Sequence, residues 1–191
     1  MQPTEALMKD HRVIERLCRV LNGAASCLDS GGSIAPQVFE RSLRFIREFA
    51  DSYHHGREED LLFPAMEAHG VPRNGGPTGV MIMDHQQGRE SVRGLAEALK
   101  RWAGGDASAK VDVARHARAY SQLLLEHIPK EDNILYPIAD SVLEPEEQDA
   151  LAIKFQAVER DRIGDRYQEY VKLVEELEAE VGPSLHAARA R

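Results

Sequence analysis

A His-x-x-x-Glu step that occurs twice constrains this chain more than any other feature. His54 and Glu58 stand in Tyr-His-His-Gly-Arg-Glu-Glu-Asp-Leu-Leu-Phe-Pro, and His127 and Glu131 in Glu-His-Ile-Pro-Lys-Glu-Asp-Asn-Ile-Leu-Tyr-Pro. The copies align without a gap, with Leu62-Phe63-Pro64 falling on Leu135-Tyr136-Pro137. Four residues carry an α-helix one full turn plus about 40°. Each imidazole therefore lies over its carboxylate on one face, and the helix presents nitrogen and oxygen together. Asp10-His11 and Asp84-His85 each precede a pair by a little over forty residues. The chain reads as two degenerate halves, each giving His and then His-x-x-x-Glu. A helical bundle brings His11, His54, Glu58, His85, His127 and Glu131 to one place in its core.

The remaining sequence supplies the helices. The first is expected from Thr4, as N-cap, to about Leu28, with Leu7, Ile14, Leu17 and Leu21 as its apolar stripe and His11 on that side. A second begins near Pro36, carries Phe39, Leu43, Ile46, Phe49 and Ala50 towards His54, kinks at Pro64 and ends near His69-Gly70. His55 lies about 100° round from His54 and is expected exposed or at the rim. The register His55/Glu59 is a rival to His54/Glu58, and the repeat favours the latter. A third helix opens near Pro77-Thr78 and ends at Gly104-Gly105. There Arg89 either meets a carboxylate around the site or is solvated. A fourth runs from about Ala107 to Ser141, where Pro129 is expected to bend it and re-aim Glu131. Tyr120 is expected in packing, with an access channel as the alternative. His69 and His116 fall away from the site. A fifth helix follows Glu144-Pro145, with one apolar line from Leu151 to Val181, no His/Glu pair and a frayed tail from Gly182 in which His186 has no role.

Length fits one bundle over residues 1–141 and a helical extension over 142–191. With 42% hydrophobic and 29% charged residues the composition is that of an ordinary globular chain. A net charge of -8 without a Lys/Arg stripe excludes general nucleic-acid binding. No apolar run approaches the length of a membrane span, and the N-terminal stretch has no apolar signal core, so a cytoplasmic location is expected. Cys18 and Cys27 match no zinc spacing and are expected to be reduced.

Four imidazoles and two carboxylates suit a pair of transition-metal ions. With Glu58 and Glu131 bridging, His11 and His54 complete one ion and His85 and His127 the other. An oxide or hydroxide bridge then leaves one position on each open to dioxygen, peroxide or nitric oxide. Nitrogen-rich ligation favours iron over magnesium or calcium, and open coordination implies reactivity.

The order His11, His54-x-x-x-Glu58, His85, His127-x-x-x-Glu131, followed by Leu-Phe-Pro and Leu-Tyr-Pro, resembles the hemerythrin-like (HHE cation-binding) family over residues 4–140. The resemblance implies an up-down-up-down four-helix bundle and a carboxylate-bridged non-haem di-iron centre. The helix after Glu144 resembles a C-terminal extension found in bacterial members. Oxygen carriers of the family place a second histidine four residues on along the third helix, where this chain has Arg89. That departure weighs against reversible oxygen storage and towards redox work on peroxide or nitric oxide, iron supply or repair, or sensing of oxygen or iron. No nucleophile and base stand together, so no enzyme class is assigned. A ferritin-like oxidase is disfavoured, because its sites are Glu-rich and use Glu-x-x-His. The outer helix is expected to pack on the bundle or to contact a second copy or a protein partner.

Overall fold

The computed structural model of the chain describes residues 2–189, with side chains through Pro183. Six helices account for the fold, and no strand occurs among the described residues. They are α1 (Pro3–Asp29), α2 (36–68), α3 (Pro77–Ala103), α4 (109–142), α5 (Pro145–Arg162) and α6 (Tyr167–Arg189). Helices α1 to α4 form the expected up-down-up-down bundle: α1 packs on α2 and α4, and α3 closes the square against both.

The α1 start is set by Gln2, whose backbone N–H donates to Glu5 Oε2 at 2.9 Å. Thr4, expected to cap this helix, instead sends its hydroxyl to Asp140 Oδ1 at 2.8 Å. Proline opens α1, α2, α3 and α5 in the first turn, where its missing N–H has no helical partner to lose. Pro129 leaves its segment of α4 helical, and the distortion falls one turn later. Both α2 and α4 widen there into π-type turns: the Phe63 N–H bonds to the Glu58 carbonyl and the Tyr136 N–H to the Glu131 carbonyl. Pro64 and Pro137 follow directly, and each would press its ring on the carbonyl four residues back in a regular helix. Widening the turn relieves that contact without ending the helix.

The C-terminal extension is two helices rather than one. Gly164 takes φ +55, a left-handed conformation that ends α5, and a short 3₁₀ turn over Gly164–Arg166 leads into α6. Leu173, Val174, Leu177 and Val181 of α6 join the same core as α1 and α2, and Phe155 and Leu151 of α5 join a second core cluster. The helix also continues through Gly182 and Pro183 rather than fraying there, while the His186 side chain lies outside the described residues. Cys18 and Cys27 are both buried on α1 as free thiols. No described helix is long and apolar enough to cross a membrane.

A polar layer divides the bundle core. The larger apolar cluster begins at Val13, Tyr53, Val92 and Ile128, and the smaller one holds Leu7, Leu62, Met81 and Leu135. Between them, at one level of the bundle, come His11, His54 and Glu58, His85, and His127 and Glu131, all buried. The repeat therefore works in three dimensions as it does in sequence, with each helix interrupting its apolar stripe at the same height.

Candidate metal centre

All six expected residues converge. His11 Nε2 lies 3.0 Å from His54 Nε2, and His85 Nε2 lies 3.1 Å from His127 Nε2. Glu131 joins the two halves: Oε2 is 3.2 Å from His11 Nε2 and 3.1 Å from His127 Nε2, and Oε1 is 3.7 Å from His85 Nε2. Glu58 Oε2 spans the same gap, 3.6 Å from His54 Nε2 and 3.7 Å from His85 Nε2. Both carboxylates are fully buried. Glu58 Oε2 and both oxygens of Glu131 nevertheless have no partner in hydrogen-bond geometry. Leaving buried acceptors unmatched is costly, and two carboxylates facing imidazole nitrogens over such distances are the arrangement a bound cation resolves.

Each imidazole is turned by a carboxylate on its outer nitrogen. His11 Nδ1 meets Asp132 at 2.6 Å, His85 Nδ1 meets Glu59 at 2.7 Å, His127 Nδ1 meets Asp84 at 3.2 Å and His54 Nδ1 meets Asp10 at 3.3 Å. A carboxylate on Nδ1 keeps the proton there and aims the Nε2 lone pair inward, as metal-binding histidines require. Every partner comes from a neighbouring helix, and those from Glu59 and Asp132 also pass from one half to the other. Asp10 precedes His11 but serves His54, and Asp84 precedes His85 but serves His127. Glu59 and Asp132, each directly after a central glutamate, serve the single histidines. The sequence displays these four acids at equivalent positions, yet only the fold shows which histidine each one turns.

Without a bound ion, these buried donors would hold protons instead. Burial raises the Glu58 carboxyl, and its neighbour Glu131 adds to this, to about 8. Burial alone would lower His11, but Asp132 and Glu131 outweigh it and push the imidazole up to about 10. His85 is likewise lowered by burial and carried up to about 10 by Glu131 and Glu59. Glu131 is opposed by burial yet held well below the usual carboxylate range by His127, His11 and His85. Metal ions displace such protons, because the ligating imidazole must be neutral.

The structure corrects the expectation for His55. It is 4% exposed and stacks on His85 at 3.9 Å between ring centres, well inside the rim. The reason is local: residues Ile46–His55 form π-type turns, which rotate successive residues by less than the 100° or so of a regular helix. His54 and His55 thus both turn inwards. Glu59, the rival partner for His55, is occupied by His85 instead. Arg89 is not a free cation: it bonds Asp51 at 2.8 Å and Glu59 at 2.8 Å.

Two aromatic residues add to the site. Tyr136 sends its hydroxyl to Glu58 Oε1 at 2.6 Å and lies 3.3 Å from His11 Nε2, whereas its counterpart Phe63 stacks near His85 without a polar atom. Replacing Tyr136 by Phe should therefore preserve packing and remove the hydroxyl's contacts with Glu58 and His11. Thermal unfolding should show a loss of about 1–3 kcal/mol, the cost of leaving a buried hydrogen-bond partner unsatisfied. Tyr120 is buried, and it lines a cavity of about 230 Å³ with His55, His85 and Arg89. His69 pairs with Glu147 at the surface, and His116 rests against Gly94, so neither enters the site.

The fold and this donor layer define a metal-binding helical bundle. The family model of the hemerythrin HHE cation-binding domain matches residues 2–139, and the chain belongs to that family. Among curated proteins it is similar to "Uncharacterized protein Rv1995" of Mycobacterium tuberculosis and "Uncharacterized protein Mb2018" of Mycobacterium bovis. Each is 27% identical over 179 residues, which cover 93% of this chain and 69% of the relative.

Proposed function

We propose that this chain is a non-haem di-iron protein that binds or reacts with dioxygen, peroxide or nitric oxide. The observation that carries the reading is the layer of inward Nε2 atoms and unmatched carboxylate oxygens held between two apolar clusters. Glu58 and Glu131 each reach donors from both halves and would bridge two ions. His11 and His54 would complete one ion, and His85 and His127 the other. Iron so held supplies redox chemistry towards small oxygen- or nitrogen-containing molecules.

The protein's own residues supply the rest. The four outer carboxylates fix imidazole orientation, and the apolar clusters exclude bulk water. Tyr136 donates its hydroxyl to Glu58 and sets the phenolic oxygen beside His11. The cavity of about 230 Å³ at His55 and His85 admits a diatomic molecule or peroxide. Loading the metal-free protein anaerobically with iron and exposing it to dioxygen, peroxide and nitric oxide in turn tests the reading. A spectral change with at least one is expected, and an iron-loaded protein inert to all three would contradict it.

A sensing or iron-supply role is the second reading, and one connection favours it. Asp10, which turns His54, is also bonded by Arg57, whose guanidinium lies 5.2 Å from the Phe155 ring of α5. The metal layer thus reaches the C-terminal helices in a few contacts. These helices are packed rather than free, so a signal would pass by changing that contact. Hydrogen exchange in α5 and α6 should then slow on iron loading, and equal exchange in the two states would remove this reading.

A further inference from the structure

The wide turns of α2 leave one backbone acceptor over. At the Gly56 end of the Ile46–His55 stretch, backbone N–H groups donate to the carbonyls of Asp51, Tyr53 and His54, and the Ser52 carbonyl between them is passed over. A widened turn that returns to regular helix shifts the ladder by one residue, so one carbonyl loses its helical donor. Ser52 stands two residues before His54, so the gap adjoins the first His-x-x-x-Glu step. The second half breaks its ladder at the same place by another route. There Pro129 stands where Gly56 does, and it has no N–H to give the Leu125 carbonyl.

In the first half a residue of the C-terminal extension fills the gap. Arg162, the last residue of α5, donates Nη1 to the Ser52 carbonyl and Nη2 to Asp60 Oδ2 at 3.0 Å. Its guanidinium therefore straddles the ligand pair, with one contact before His54 and the other after Glu58. Gly56 lies beneath it, buried and with an ordinary helical φ of -61. The glycine serves for room rather than for conformation: a Cβ there would come 3.0 Å from Arg162 Cζ and closer still to Nη1. An exposed ion pair with Asp60 alone would need no such clearance and contributes little. Donation from a guanidinium to a carbonyl is charge-assisted and fixes geometry more strictly. Gly164, at φ +55, ends the helix just beyond and so sets where Arg162 stands.

We propose that Arg162 is a positioning residue of the metal centre, holding the widened turns of α2 in the register that aims His54 and Glu58 inward. The proposal rests on the metal-centre reading above. It makes the C-terminal extension a working part of the site, although Arg162 lies outside residues 2–139 that match the family domain. It also assigns Gly56 its role, as the gap through which the guanidinium reaches the backbone.

The test is a chelator-competition titration of the metal-free full chain with Co²⁺ in the absence of oxygen, with the visible absorption bands of the loaded protein recorded. The wild type is compared with Arg162→Met and with Arg41→Met, which removes another contact between α2 and the extension, to Glu176 at 2.6 Å. Arg162→Met should bind Co²⁺ about tenfold more weakly and with shifted bands, the scale on which partners outside the ligand shell act. Arg162→Lys keeps one donor for the Ser52 carbonyl and should recover most of both. Arg41→Met should match the wild type. Wild-type affinity and bands in Arg162→Met would overturn the proposal. An equal loss in Arg41→Met would also overturn it, as general loosening of the extension. A wild type that binds no Co²⁺ would overturn the metal-centre reading and the proposal with it. Should Arg162→Met fail to fold by circular dichroism, Gly56→Ala takes its place, because it displaces the guanidinium without removing a donor. The same weakening is expected there, and wild-type binding would be the refutation.

Discussion

Glu131→Gln should abolish binding of both metal ions while leaving the helices in place. Glu131 contacts three of the site imidazoles and is fully buried, so the change removes the charge shared by both halves without altering side-chain volume much. Binding to the native state alone adds about 4 kcal/mol at a thousandfold excess of free ion over its Kd. For a chain of this size that corresponds to roughly 8–16 °C in Tm. Differential scanning calorimetry with and without iron should show such a rise for the wild type and none for Glu131→Gln. A variant that keeps the wild-type rise would show that Glu131 does not hold the ions.

Arg57→Met should produce the largest loss of stability in the metal-free protein. Arg57 is 2% exposed, bonds Asp10 Oδ2, and lies 3.8 Å from the Tyr53 ring centre. Burial raises the Asp10 carboxyl, and Arg57 is the main opposing influence. Methionine retains much of the apolar stem but leaves Asp10 buried without its cation. Breaking a buried pair by removing one partner costs about 3–5 kcal/mol, whereas replacing both groups can be nearly neutral. Chemical denaturation of the metal-free protein should show that loss for Arg57→Met, and adding Asp10→Asn should recover most of it. A cost below about 1 kcal/mol, the range of exposed pairs, would mean that the Arg57–Asp10 contact is not holding the two helices.

The arrangement of four helices was legible because one pattern encodes both fold and site. Leu7, Ile14 and Leu17 on α1 and Ile46, Ala50 and His54 on α2 share faces at helical spacing, and the His/Glu repeat fixes the level at which the helices meet. The same regular spacing hid His55. Reading residues at about 100° intervals turns it away from His54, whereas the wide turns of α2 bring both inward. Pro64 and Pro137, read as a kink and a repeat marker, are also where π-type turns replace regular ones. Gly164 ends α5 in a left-handed conformation, but the apolar line from Leu151 to Val181 continues across it and suggested one helix.

Other misses were long-range. Nothing local indicates that Asp10 turns His54 rather than its neighbour His11, or that Arg57 is buried against Asp10. Both follow from the pairing of α1 with α2. The crossed partnership of Asp84 with His127 follows in the same way from the pairing of α3 with α4. Sequence position identified the acids, and packing decided their partners. Arg89 shows the complementary case: its place one turn after His85 is plain in the sequence, while its grip on Asp51 and Glu59 depends on α2 lying beside α3.

The most direct test of the metal centre is iron per chain after anaerobic loading and removal of loosely held ion, read by elemental analysis on the full-length protein. The arrangement of His11, His54, Glu58, His85, His127 and Glu131 predicts two iron ions retained per chain. Retention of none would contradict it and leave the buried histidines and glutamates as a proton-linked structural layer.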